Sequence, residues 1–363
     1  MELSRKQILA AFALVISYFL FGHYIALAGN CWGGWNEICW SRWDSGLYLG
    51  IAKDGHTLYP CPDIPSWNCG NAGWAPLYPA LIRLVHESSM HHISFADAGI
   101  YLSAFFWIAS IYWVRNESFA GALLLLLAPG NIYFHAIFPM SLLVFFVLGM
   151  FYFLERQKYL LAGIMGYFAA LSYSIGFILI ACLGVYVLYQ WWKKQLSIID
   201  SSKLVLIPLA GIITWFIYDH YATGKWNALF LIQGKYGHHI KLPFEMMYLK
   251  FKELLEAWGT LKMSVELQNY SIWIAVIIAI IKFYKVRSEQ PLWPLLMVFT
   301  LLYWWLPYSS SSVTAVYRNV CVLLPAWIYL FRHITPLQRW LALTAMAIFS
   351  VTQGILFIQS ILV

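Results

Sequence analysis

Charge is scarce in this chain. Asp, Glu, Lys and Arg make up 11% of its 363 residues, against roughly 25% in an ordinary soluble domain. So few charges cannot clothe a water-facing surface, which excludes a soluble globular protein and points to an all-α polytopic membrane protein. Nucleotide-binding signatures are missing too: no G-x-G-x-x-G follows a strand, and there is no P-loop. There is no Asp-x-Asp. The adjacent pairs His91-His92 and His238-His239 lack the helical i, i+4 spacing that offers two ligands to one ion. No metal and no other cofactor is expected. The basic residues form no run, so the net charge of +7 reads as positive loops facing anionic lipid, not as a nucleic-acid surface. No internal repeat and no soluble segment divides the chain, and residues 1–363 are read as one integral-membrane domain.

What is abundant is apolar and aromatic: 61% hydrophobic, 18% aromatic, with 19 Trp. Trp and Tyr favour the headgroup layer, so many helix ends are expected. Arg5 and Lys6 precede an apolar run from Ile8 to Ala28. That run is long enough to span, and it reads as an uncleaved first helix with the N-terminus held in the cytoplasm by the positive-inside rule. It delivers a first large loop, about residues 29–93, to the other side. Within that loop Ser45–Lys53 reads as a short helix capped by Asp44 or Ser45, and Pro76–Glu87 as an amphipathic helix at the interface. A span over Phe95–Val114 returns inward to Arg115.

Residues 118–154 are too long an apolar stretch for one span, and breaks at Pro129-Gly130-Asn131 and Phe138-Pro139 predict two, with His135 near the outer turn. Residues 159–192 repeat this pattern around Ser172–Gly176. A span over Leu204–Tyr221 leads to a second large outer loop, about 222–268, with a surface helix over Phe244–Trp258. Spans over 272–283, 291–307, 320–331 and 341–362 follow, with an outer turn at Ser309–Ser312. The total is about eleven.

The six cysteines divide sharply: Cys31, Cys39, Cys61 and Cys69 crowd into the first loop, while Cys182 and Cys321 lie in apolar runs. The loop four suggest two disulfides or a zinc site. Zinc favours close C-x-x-C pairs, and the x7 spacings here favour disulfides. Local pairing is the simplest of three connectivities. Disulfides require an oxidising compartment, which places the loop outside the cytoplasm, in agreement with the N-terminal charge argument.

The polar stretch from Ser41 to Pro79 is where such a protein can do chemistry. It carries Arg42-Trp43-Asp44, then Ile51-Ala52-Lys53-Asp54-Gly55-His56, then Ala75-Pro76-Leu77-Tyr78-Pro79. These three motifs resemble the GPI mannosyltransferase family of the PIG-V type, within the GT-C integral-membrane glycosyltransferases. Downstream, Ala128–Phe134 is similar to the family's Ser-Pro-Ala-x-x-Phe-Phe turn, Thr223–Phe230 to its Thr-Gly-Asp-Pro-x-Ala-Phe segment, and Tyr317-Arg318-Asn319 with Pro325 to its late Arg-Tyr…Pro motif. The chain also departs from the pattern. The acidic Tyr-Ser-Glu-Ser is replaced by Phe138-Pro139-Met140-Ser141. The arginine of Thr-Arg-x-x-Gly is absent from Ser172–Gly176, and Gly-Asp-Pro has become Gly224-Lys225-Trp226. The resemblance implies a GT-C-like fold in a divergent, prokaryotic-type relative. It implies transfer of a sugar, mannose first, from a polyprenyl-phosphate donor to an acceptor hydroxyl on a glycolipid, glycan or protein. The implied site is at the extracytoplasmic face of a plasma or ER-type membrane.

Such transfer needs a base for the acceptor hydroxyl, and Asp44 is the candidate; its bland alternative is a helix N-cap. Trp43 could bury Asp44 or stack on a sugar. Arg318, a charge at the outer border of an apolar helix, is the candidate for the leaving phosphate, against a plain headgroup anchor. Arg42 could pair with Asp44, hold phosphate or simply snorkel. Lys225, Lys235 and His238 are further phosphate candidates in the second outer loop. Asp54 and His56 could line the same cleft or form a solvated helix end with Gly55 as C-cap; Tyr78 and His135 are added as substrate-binding candidates. Asp63 reads as structural and Asp219 as interfacial, though it could reach the cleft. Two other functions compete: a non-enzymatic flippase or transporter of lipid-linked sugars, which predicts charges deep in several spans or paired broken helices, and an inactive scaffold.

Overall fold

A computed structural model describes residues 4–32, 35–234, 241–309 and 316–360. Lys235, His238 and His239 lie outside the described residues, as does most of the expected outer turn at Ser309–Ser312. The fold is all-α apart from one hairpin. In chain order the helices are α1 (Arg5–Ala28), α2 (Glu37–Trp40), α3 (Ser45–Asp54), α4 (Leu77–Ser88), α5 (Phe95–Val114), α6 (Phe119–Leu127), α7 (Met140–Glu155), α8 (Tyr159–Ser172), α9 (Gly176–Trp192), α10 (Ile198–Thr223), α11 (Ala228–Gln233), α12 (Pro243–Glu256), α13 (Leu261–Lys285), α14 (Trp293–Ser309), α15 (Val316–Val320), α16 (Leu324–Arg332) and α17 (Pro336–Ile358). Among the described residues five stretches are long and apolar enough to cross a membrane: α1, α5, α10, Glu266–Lys285 of α13, and α17; α7, α8 and α9 are shorter apolar helices.

The helix boundaries follow from local chemistry. Ser4 and Gln7 form a capping box at the start of α1, and Thr335 and Gln338 form another at α17. The break after α6 is set by Pro129, which lacks an N–H and forces Ala128 into extended backbone (ψ 147°). This shortens α6 to nine residues, about 13 Å against a hydrocarbon core of about 30 Å. The span expected before His135 is therefore only half a span. The residues after it, Ala128–Phe138, are buried irregular chain around a 3-10 turn over Asn131–Phe134, tolerated at such a position because they pack in protein and not in lipid. At the second break Tyr173 is extended (φ −158°, ψ 153°) and ends α8. The span expected over 320–331 is likewise broken, into α15, a 3-10 turn over Cys321–Leu323, and α16.

Helices α8 and α10 pack through small residues. A Cβ on Gly163 would come within 2.3 Å of the Lys203 carbonyl, and one on Gly211 within 2.5 Å of the Tyr167 carbonyl, so only glycine lets the two backbones approach so closely. The main apolar core runs through α1, α5, α6, α7, α9, α13, α14, α16 and α17.

The first loop is an ordered cap. Cys31 is bonded to Cys39 and Cys61 to Cys69, the local pairing, and Cys182 and Cys321 are buried thiols. A feature unforeseen from the sequence is the hairpin of β1 (Leu58–Pro60) and β2 (Asn68–Gly70), antiparallel with Tyr59 opposite Cys69. Asn71 fixes its base, accepting from Thr57 N at 2.7 Å and donating to Gly55 O at 3.2 Å. The α12 surface helix forms as expected, but its charges are not all at the surface: Lys250 is fully buried, with Nζ 2.9 Å from Glu253 and 3.3 Å from Glu266 of α13.

Candidate functional site

The cap is tied to the helix bundle around Asp44. The Trp40 carbonyl accepts from Ile137 N at 3.1 Å. Arg42 reaches α17, its Nε and Nη2 each donating to the Ile358 carbonyl at 3.3 Å. Its Nη1 donates to Ser41 O at 3.0 Å and also to Ile38 O. The Arg42 guanidinium thus serves backbone carbonyls and does not meet Asp44. Between these anchors Trp43 adopts a left-handed backbone (φ 51°), a conformation that a bulky residue holds only at a cost of about 1–3 kcal/mol. The turn throws the Trp43 ring outward, 42% exposed, and sends Asp44 inward.

Asp44 occupies the N-cap position of α3, yet its side chain makes no capping hydrogen bond. The Ser45 hydroxyl instead accepts from Arg42 N at 3.0 Å. The Asp44 carboxylate accepts from Arg318 Nη1, closing a contact between residues 274 positions apart. The Asp44 and Arg318 side chains are 23% and 12% exposed, so the pair is sheltered but reachable. A Cβ placed on Gly46 would meet no atom within 4 Å, leaving open space beside the first turn of α3. Arg318 also lies 5.7 Å from the centre of the Phe138 ring, and Cys321 Sγ bonds its carbonyl at 2.9 Å.

Burial disfavours the Arg318 charge, but the Asp44 carboxylate beside it opposes that, and its pKa stays above the ordinary arginine value. Burial pushes the Tyr48 hydroxyl well up and that of Tyr173 up to about 12. The surrounding phenols therefore remain neutral donors.

The other candidates are dispersed. His56 is buried, its Nδ1 2.6 Å from Asp219 Oδ1 of α10, while Asp54 is exposed at the end of α3. The two do not share a cleft, and Asp219, expected at the interface, is fully buried. Tyr78 is buried one layer behind Asp44: its hydroxyl donates to Gly99 O at 2.8 Å, lies 2.9 Å from Ser103 Oγ, and its ring meets Tyr48 edge-on at 5.8 Å. His135 is buried and stacks on Tyr18 at 4.1 Å, inside a cage with Trp35 and Trp40. Burial pulls its pKa down to about 3, so it is a neutral ring in the core. Lys225 is exposed just past α10. Among the described residues no three His, Cys, Asp or Glu side chains gather as a metal ion would require.

The residues that sequence reasoning missed are Tyr48, Tyr133, Phe138 and Tyr173, all near Arg318. The signal was present: Tyr133 and Phe138 lie between Pro129 and Pro139, and Tyr173 lies in the break between α8 and α9. The breaks were legible as helix ends, but the aromatic residues inside them drew no attention.

A cleft of about 420 Å³ opens between α3, α4, α8 and α10, lined by Ile51, Ala52, Pro76, Leu77, Pro79, Ala80, Arg83, Leu171, Thr214 and Tyr218, and neither Asp44 nor Arg318 lines it. Its lining is apolar except at Arg83, Thr214 and the Tyr218 hydroxyl. The fold and its charged site define an α-helical protein with membrane-spanning helices and a disulfide-bonded cap. In comparisons with known proteins, no protein-family model matches the chain and no curated protein matches it.

Proposed function

We propose that the chain is an integral-membrane glycosyltransferase of GT-C type, a mannosyltransferase in first place, acting at the extracytoplasmic face on a polyprenyl-phosphate sugar. The observation that carries this reading is the Asp44–Arg318 pair: a carboxylate at a helix start that forgoes capping to meet a sheltered arginine. The acceptor oxygen attacks the anomeric carbon while its proton passes to Asp44. The bond from that carbon to the phosphate oxygen breaks, its electrons leave with the phosphate, and the configuration inverts. Arg318 stabilises the charge that develops on the phosphate, an effect strengthened where water is partly excluded. Arrival of the donor phosphate draws the guanidinium away from Asp44 and leaves the carboxylate free to meet the acceptor hydroxyl. The acceptor is a glycolipid, glycan or protein hydroxyl.

The proposal orients the N-terminus in the cytoplasm and the disulfide-bonded cap outside it, in a plasma or ER-type membrane; the two disulfides support that side. About eleven spans result if the half-length α6, together with α14 and α16, joins the five long and three shorter apolar helices. A flippase reading draws on the broken helices at 128–139 and 173–175. Purified protein in proteoliposomes separates the two. The transferase moves labelled sugar from a polyprenyl-phosphate donor to acceptor lipid in the same leaflet, and a nucleotide sugar does not substitute. Transbilayer movement of the intact donor with no sugar transfer would replace this reading with the flippase.

A further inference from the structure

The salt bridge does not use all the polar groups gathered at Phe138. That ring meets Tyr133 edge-on at 5.2 Å and Tyr48 edge-on at 5.9 Å, and Arg318 lies 5.7 Å from its centre. Three side chains from separate segments, α3, the turn after α6, and α15, thus converge on one aromatic hub. Tyr48 and Tyr133 are completely buried, and neither hydroxyl has a hydrogen-bond partner; Arg318 Nε is also buried without one. A buried polar group left unpaired is a standing cost to the fold and calls for an explanation. Three of them around one ring, all able to donate, share a single chemistry: they suit an anionic ligand that only accepts.

We propose that the Tyr48 and Tyr133 hydroxyls and Arg318 Nε form a cradle for the oxygens of a phosphate monoester carried on a lipid. The cradle rests on the transferase reading for its source of phosphate, and on the geometry for its chemistry. Two neutral phenols and one guanidinium complement a phosphate monoester headgroup without overcharging the site. Burial keeps both phenols protonated, so they donate to the anion and do not repel it. Tyr173 lies in the same electrostatic surroundings, within reach of the Arg318 and Asp44 charges.

The test uses full-length protein in detergent micelles and three probes: farnesyl phosphate, farnesol and inorganic phosphate. Binding is read by titration calorimetry on wild type, Tyr48→Phe and Tyr133→Phe. Each variant should bind farnesyl phosphate about tenfold or more weakly, the loss expected for one hydrogen bond to a charged group. Farnesol binding should not change. The ligand-free melting temperature should not fall, because no bond within the protein is lost. Unchanged farnesyl phosphate affinity in both variants, or equal loss of farnesol and farnesyl phosphate, would overturn the cradle. Inorganic phosphate binding as tightly as farnesyl phosphate would overturn its lipid source. Tyrosine-dependent farnesyl phosphate binding in a protein that transfers no sugar would keep the cradle and remove the transferase.

Discussion

Two charged clusters join distant parts of this chain, and they differ in what they leave unused. At α12 and α13, Lys250 meets Glu253 and Glu266, and the other oxygen of Glu266 accepts from Asn269 Nδ2 at 2.9 Å. The buried cation has two carboxylate partners, and the buried carboxylate has partners on both oxygens. Around Arg318 the ion pair is sheltered but less deeply buried, and Arg318 Nε and the hydroxyls of Tyr48 and Tyr133 remain unpartnered. A satisfied buried network holds helices in place. A cluster with spare donors of one kind is what the proposed lipid phosphate would complete.

The contrast is broken most sharply at Arg318. Arg318→Ala should lower transfer by about 10²–10³-fold, the usual effect of removing a donor that stabilises transition-state charge. Arg318→Lys should fall between, since it keeps the charge but loses the planar fork. Steady-state kinetics with a polyprenyl-phosphate sugar checks this; an alanine variant with unchanged kcat and KM would make Arg318 as architectural as Lys250.

Lys250→Met should do the opposite. Stranding two carboxylates, one of them buried, should cost about 3–5 kcal/mol of stability, read as a lower Tm in detergent, with transfer per folded molecule retained. Adding Glu266→Met should restore most of that stability, because the remaining Glu253 is 38% exposed and can face water. If the single variant loses transfer at unchanged Tm, the second cluster also belongs to the reaction.

Next in size are the disulfides. Replacing Cys61 and Cys69 by serine should cost about 2–3 kcal/mol, the chain-entropy value for so short a loop. Non-reducing mass mapping should recover the pairs Cys31–Cys39 and Cys61–Cys69. The smallest effect is expected at Arg42. Arg42→Lys loses the fork that holds the Ile358 carbonyl and should cost about 1 kcal/mol, with donor KM unchanged. A raised donor KM would return Arg42 to the phosphate site.

Much of this architecture was legible in advance for a physical reason. Helix α5 runs over Phe95–Val114 as expected, because Ser94 caps its start and the apolar run stops at Arg115. The breaks at Pro129 and Pro139 were legible because proline removes a donor wherever it stands. The length of α6 was not: hydropathy counts apolar residues alike whether they face lipid or lie in buried chain outside the α-helices. Asp44 could be named as an acid of interest, but a helix cap and a paired carboxylate look the same until the partner, 274 residues away, is known. The burial of His56 was hidden for the same reason, since its partner Asp219 lies on another helix. The tyrosines escaped notice because a phenol reveals its use only through what its hydroxyl fails to find.

The central claim is that Asp44 is the base of a lipid-phosphate-dependent sugar transfer, and Asp44→Asn tests it most directly. Asparagine keeps the volume and can still accept from Arg318, but it cannot take the acceptor's proton. Purified wild type and variant are compared at saturating polyprenyl-phosphate sugar, with the Tm of each measured alongside. The account predicts an unchanged fold and turnover reduced by about 10²–10⁴-fold. Near-full turnover in the variant would contradict it and return Asp44 to the role of a helix start held by an arginine.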